Sequence, residues 1–113
     1  MKEAEINIKI KLGEDKIPEE ITWQSSDGGS AGIQECKAFL LALWDGEQNN
    51  TFRIDLWTKE MKVDEMNFFF YQSLMTMADT FKRSTNNPEG AQKMKDFANE
   101  LARDMGLIDK KAT

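Results

Sequence analysis

Ile6, Ile8, Ile10 and Leu12 alternate with Asn7, Lys9 and Lys11. A period of two puts the apolar side chains on one face, so this segment predicts a strand buried on one side. Gly13-Glu14-Asp15-Lys16 reads as a turn. Ile21 and Trp23 resume the period of two and predict a shorter second strand. Pro18 cannot donate to a ladder, so it belongs at that strand's start or on an edge.

Ser25 to Gly32 is rich in glycine and small polar residues and predicts a loop. The pattern then changes. Ile33, Cys36, Phe39, Leu40, Leu43 and Trp44 recur at steps of three and four, which predicts a helix ended by Gly46. A third strand is expected in TFRIDLW, with Phe52, Ile54 and Leu56 on one face and Arg53, Asp55 and Trp57 on the other.

A long helix is expected from Val63-Asp64 to about Arg83. Asp64 and Glu65 lie at its start and Lys82 and Arg83 at its end, which complements the helix dipole. Asn87-Pro88 suits the start of a last helix, with asparagine as cap and proline in the first turn. Its apolar face is Ala91, Met94, Phe97, Ala98, Leu101 and Met105. The expected order is β-β-α-β-α-α. This is an α+β fold: a small, mainly antiparallel three-stranded sheet with three helices on one face. Residues 1–108 read as a single domain and 109–113 as a flexible C-terminal tail.

Charge and composition narrow the function. The chain of 113 residues carries a net charge of −5 with both signs interspersed. Nucleic acid is disfavoured as a partner because phosphate neutralisation needs a basic patch. The longest apolar run, AFLLALW, is far short of the roughly 20 residues a spanning helix needs, so direct membrane insertion is not expected. The first residues lack the apolar stretch of a secretory signal, and the single cysteine allows no intrachain disulfide. A cytoplasmic protein is expected.

The chain has no histidine, which removes the commonest general base and metal ligand. A His-activated nucleophile cannot be assembled, and zinc would have only Cys36 and carboxylates as ligands, so no ordinary zinc site is expected. Cys36 reads as a small hydrophobe on the apolar side of the predicted helix rather than a reactive thiol. The DGGSAG stretch matches neither a P-loop nor a dinucleotide fingerprint. The carboxylate pairs Asp64-Glu65 and Glu100/Asp104 read as a helix N-terminus and a solvated helix face. No catalytic residue, cofactor or metal is expected, and the chain is not expected to be an enzyme.

Two surfaces remain as candidate partner sites. In the long helix, Met66, Phe70, Leu74, Met77 and Phe81 form one apolar stripe, while Phe68, Tyr71 and Met75 fall on another side. A helix that only covers a sheet needs one stripe. Either the last helix covers the second side, or Phe68, Tyr71 and Met75 form a surface for a partner or for homo-oligomer formation. The second surface is the polar sheet face of Asn7, Lys9, Lys11, Arg53, Asp55 and Trp57. Trp57 there is either covered by a loop or anchors a partner.

The segments KIPEEITWQSSDGG, LALWD, FRIDLWTKEMKVDEM and MADTFKR resemble the gliding-motility protein GldC family of Bacteroidota. The likeness spans nearly the whole chain, and RIDLWTKEM followed by VDEM is its most specific part. Lys62 departs from the pattern, where proline is expected before VDEM. The resemblance implies an accessory protein of the gliding machinery, which is coupled to a type IX secretion apparatus, and no catalytic residues. Its partners would be other gliding-machinery proteins. The shared segments include Trp44, Asp45, Arg53, Asp55, Trp57, Asp64, Glu65, Asp79 and Phe81. The alternative reading is a small-ligand carrier or sensor, with an apolar pocket between the sheet and the long helix.

Overall fold

The structure, a computed structural model, describes residues 2–26 and 32–109. The order is β1 (Ile6–Leu12), β2 (Pro18–Ser25), β3 (Gln34–Cys36), β4 (Ala38–Asp45), β5 (Asn50–Trp57), α1 (Val63–Thr85) and α2 (Pro88–Asp104). The fold is α+β, but among the described residues it has two helices rather than three. The expected helix over Ile33–Trp44 is instead strands β3 and β4. The expected three-stranded sheet is replaced by a three-stranded sheet β1-β2-β3 and a two-stranded sheet β4-β5. The chain divides into two compact units, Met1–Met61 and Lys62–Thr113.

In the first unit, β1 and β2 pair antiparallel with Ile10 opposite Ile21 and Ile8 opposite Trp23. β3 adds to β2 with Cys36 opposite Ile21. Paired residues share a face, so Ile8, Ile10, Ile21, Trp23 and Cys36 form one side. Asn7, Lys9, Thr22 and Glu35 form the other. Ile21 is fully buried and is the largest such side chain among the described residues. The turn from Gly13 closes by Lys16 N–H donating to the Gly13 carbonyl at 2.9 Å, with Lys16 itself in the left-handed region.

Lys37 separates β3 from β4, and there the chain passes from one sheet to the other. The Thr58 N–H donates to the Lys37 carbonyl at 2.8 Å, and the Lys59 N–H to the Pro18 carbonyl at 3.2 Å. These bonds tie the residues just after β5 to the β3-β4 junction and to the start of β2. β4 and β5 form a hairpin whose register runs from Ala38 opposite Trp57 to Asp45 opposite Asn50. Gly46 therefore lies in a hairpin loop and does not cap a helix. Asp45 Oδ1 accepts the Glu47 N–H at 3.0 Å, and Asn49 supplies the left-handed residue that lets the chain re-enter β5.

In the second unit, Lys62 is the N-cap of α1, and its N–H donates to Glu65 Oε1 at 3.0 Å. Proline at that position would have no N–H to give. Asn86, in the left-handed region, ends α1. Asn87 then caps α2, its Oδ1 accepting the Gly90 N–H at 2.9 Å, and Pro88 takes the first turn as expected. The two-residue connection makes α1 and α2 an antiparallel hairpin. Its buried residues are Ala78, Ala91, Ala98 and Ala102.

Candidate functional site

The β4-β5 register decides which side chains stand together. Phe39, Leu41 and Leu43 share a face with Leu56, Ile54 and Phe52. Ala38, Leu40, Ala42 and Trp44 share the opposite face with Trp57, Asp55, Arg53 and Thr51. A tryptophan therefore stands at each end of this second face, six residues apart along β4. Both are well exposed, Trp44 at 66% and Trp57 at 55%.

Between them, Arg53 holds Asp55 in a two-pronged contact. Arg53 Nε donates to Asp55 Oδ2 and Nη2 to Oδ1, each at 3.1 Å. The two residues are neighbours on one face because they lie two apart in one strand. The pair is half-exposed, so it orders the guanidinium more than it stabilises the fold. The guanidinium plane and two indoles are the side-chain types that dominate binding energy at protein interfaces.

Arg53, Asp55 and Trp57 thus fall together, as their alternation predicts. Asn7, Lys9 and Lys11, grouped with them on one sheet face by sequence, lie on β1 in the other sheet. Trp44 joins the site, whereas the helix expected over its segment leaves it out. The signal was present: LALW and FRIDLW flank a short polar stretch with aspartate, glycine and two asparagines, a hairpin pattern.

In the helical unit, Phe68, Tyr71 and Met75 do not form one open patch. The Tyr71 hydroxyl donates to Asn99 Oδ1 on α2 at 3.0 Å, and Tyr71 and Met75 are half-buried. Phe68 is 43% exposed and meets the Tyr71 ring edge-on, with centroids 6.2 Å apart. Phe70 and Met77, read from sequence as the covered stripe, are exposed.

Cys36 lies at the end of β3 rather than on a helix, and it is half-buried. Burial pushes its thiol above the usual range, which holds it in the unreactive protonated form. An open cavity beside it is lined largely by Glu19, Glu20, Glu35, Lys37 and Glu60. Among the described residues, no cluster of three or more histidine, cysteine, aspartate or glutamate side chains is placed to hold a metal. No helix of the described residues is long and apolar enough to cross a membrane. Residues 27–31 of the DGGSAG stretch and residues 110–113, where a flexible C-terminal end is expected, lie outside the described residues.

A family model described as gliding motility-associated protein GldC-like matches residues 18–107. The match covers β2 through α2 and most of the chain, so the chain belongs to the GldC-like family and is linked to gliding motility. No curated protein and no solved structure matches it.

Proposed function

We propose that this GldC-like family member is a non-catalytic, cytoplasmic accessory protein of the bacterial gliding machinery and its associated type IX secretion apparatus. It works by holding another protein of that machinery against the β4-β5 hairpin. One observation carries the reading: Trp44 and Trp57 stand exposed on one hairpin face with the Arg53–Asp55 pair between them. Exposed tryptophans on a solvated strand face cost solubility and contribute nothing to a core, so a partner that covers them is their natural use. The net charge of −5 and mixed surface favour protein over nucleic acid as that partner.

The test is affinity capture from a gliding bacterium, with wild-type chain and the Trp57→Ala and Lys9→Ala variants as bait. Specific prey should be recovered by wild type and by Lys9→Ala, which alters the other sheet, and lost with Trp57→Ala. Equal recovery by all three baits would refute the site.

A further inference from the structure

The two sheets guard their edges differently. An edge strand shows a row of unpaired N–H and C=O groups, which can template another strand. β1 is an edge of the three-stranded sheet, and it carries Lys9, Lys11 and a register shift between Lys11 and Leu12. Lysines and bulges are common guards against strand pairing. β5 has neither. Its sequence, NTFRIDLW, holds no lysine and no proline, and it pairs with β4 without a register shift. Among the described residues no strand lies on its outer edge. All of its residues but Leu56 are exposed. A two-stranded sheet standing alone is marginal in water, and further strands are what such a hairpin lacks.

The order of residues along β5 decides which strand fits. A second copy can pair antiparallel about a two-fold axis, and the residue on that axis sets the register. The two longest overlaps of Asn50–Trp57 are centred on Arg53 and on Ile54. Centring on Arg53 sets arginine against arginine. Centring on Ile54 sets Arg53 against Asp55 of the copy, and Asp55 against its Arg53. Phe52 then faces Leu56, and Thr51 faces Trp57. Like charges directly opposite are destabilising, and opposite charges stabilise. β5 therefore fits its own copy in one register. β4 holds no charge from Ala38 to Trp44, so its edge selects none.

We infer that two copies of the chain join by β5 against β5, antiparallel and centred on Ile54, in one sheet ordered β4-β5-β5-β4. Paired side chains then stand about 4.5–5.5 Å apart at Cβ. Each Arg53 has two carboxylates beside it, its own Asp55 and that of the second copy. The bond within the strand uses Nε and Nη2. A guanidinium has five N–H donors, so Nη1 is left for the second carboxylate. The four charges alternate in sign around the axis. On the other face Ile54 meets Ile54, and Phe52 meets Leu56 of the copy. Ile54 and Phe52 are 47% and 49% exposed in the single chain, so each has apolar surface to cover there. The contact uses the edge of β5, and the face that carries Trp44 and Trp57 stays open on one side of the joined sheet.

The test is the mass of the purified full chain, read by light scattering after size separation at roughly 100 µM, above the micromolar end of interface affinities. The wild type should have the mass of two chains. Arg53→Asp sets acid against acid and Asp55→Arg sets base against base, so each variant should have the mass of one. An equimolar mixture of these two variants should return to the mass of two, because every acid then faces a base. So should the double swap Arg53→Asp/Asp55→Arg. If a single variant unfolds, cross-linking replaces it and leaves both charges in place. In a Cys36→Ser background, Ile54→Cys sets two thiols opposite each other, within the Cα range of a disulfide, and should oxidise to a linked pair. Phe52→Cys, which faces Leu56 of the copy, should stay unlinked. A wild-type mass of one chain would overturn the inference. So would a two-chain mass that the single variants keep, a mixture that stays at one chain, or a thiol at position 52 that links as readily as one at 54.

Discussion

Ile21→Ala should be the most damaging single truncation in the first unit. Ile21 is fully buried and central in β2, flanked by Ile10 on one neighbouring strand and Cys36 on the other. The substitution removes three carbons. At about 0.8 kcal/mol per buried methylene the transfer loss is roughly 2.5 kcal/mol. The void left in a sheet that cannot collapse adds to it, so a total of about 2–5 kcal/mol is expected. Against a typical domain stability of about 5–15 kcal/mol this is a large fraction. Ile21→Val keeps the branch at Cβ and should cost only about 0.5–1.5 kcal/mol. Urea denaturation followed by tryptophan fluorescence reads both, because Trp23 lies two residues along the same strand face. The midpoint should fall in the order wild type, Ile21→Val, Ile21→Ala. A loss below about 1 kcal/mol for Ile21→Ala would refute the reasoning, because it would mean the sheet is not organised around this side chain.

Three further outcomes follow from individual contacts. Tyr71→Phe removes the hydroxyl that bonds Asn99 and should cost about 0.5–1.5 kcal/mol, read by thermal melting of the helical signal. Thr58→Val should raise stability by about 1 kcal/mol in the same melt. The Thr58 hydroxyl is buried with no hydrogen-bond partner among the described residues, and valine fills the same space without a polar group. The hydrogen bond from Lys59 holds the Asp15 carboxyl below its ordinary value of 3.8. A depressed carboxylate contributes stability above the unfolded value and loses it as pH falls through the folded one. The stability gap between wild type and Asp15→Asn should therefore be present at neutral pH, shrink in high salt and close below pH 3.8.

The legible parts of the fold were those with one clear period. β1 alternates apolar and charged residues, β5 does the same, and α1 and α2 carry charge and cap signals at their ends. Residues 33–45 misled because the AFLLALW run is apolar at every position. A hairpin strand with hydrophobic residues on both faces has no period of two to read, and a helical spacing can be drawn through it. The step at Lys37 between sheets also breaks the parity between Cys36 and Phe39. That misreading hid Trp44 from the site, although Arg53, Asp55 and Trp57 were readable from β5 alone. The helical unit misled in a different way. Sequence places the large residues of α1 in the core, but the alanines of α2 draw the seam toward Ala78 and Tyr71 and leave Phe70 and Met77 outside.

The site's energy should reside in the tryptophans. Half of a tryptophan surface of about 250 Å², covered at about 25 cal/mol per Å², corresponds to roughly 3 kcal/mol, or about a hundredfold in affinity. Colony spreading of a gliding bacterium that carries Trp44→Ala/Trp57→Ala as its only copy tests the central claim most directly. The account predicts lost or strongly reduced spreading with the protein present at wild-type level and folded. Normal spreading at that level would contradict it.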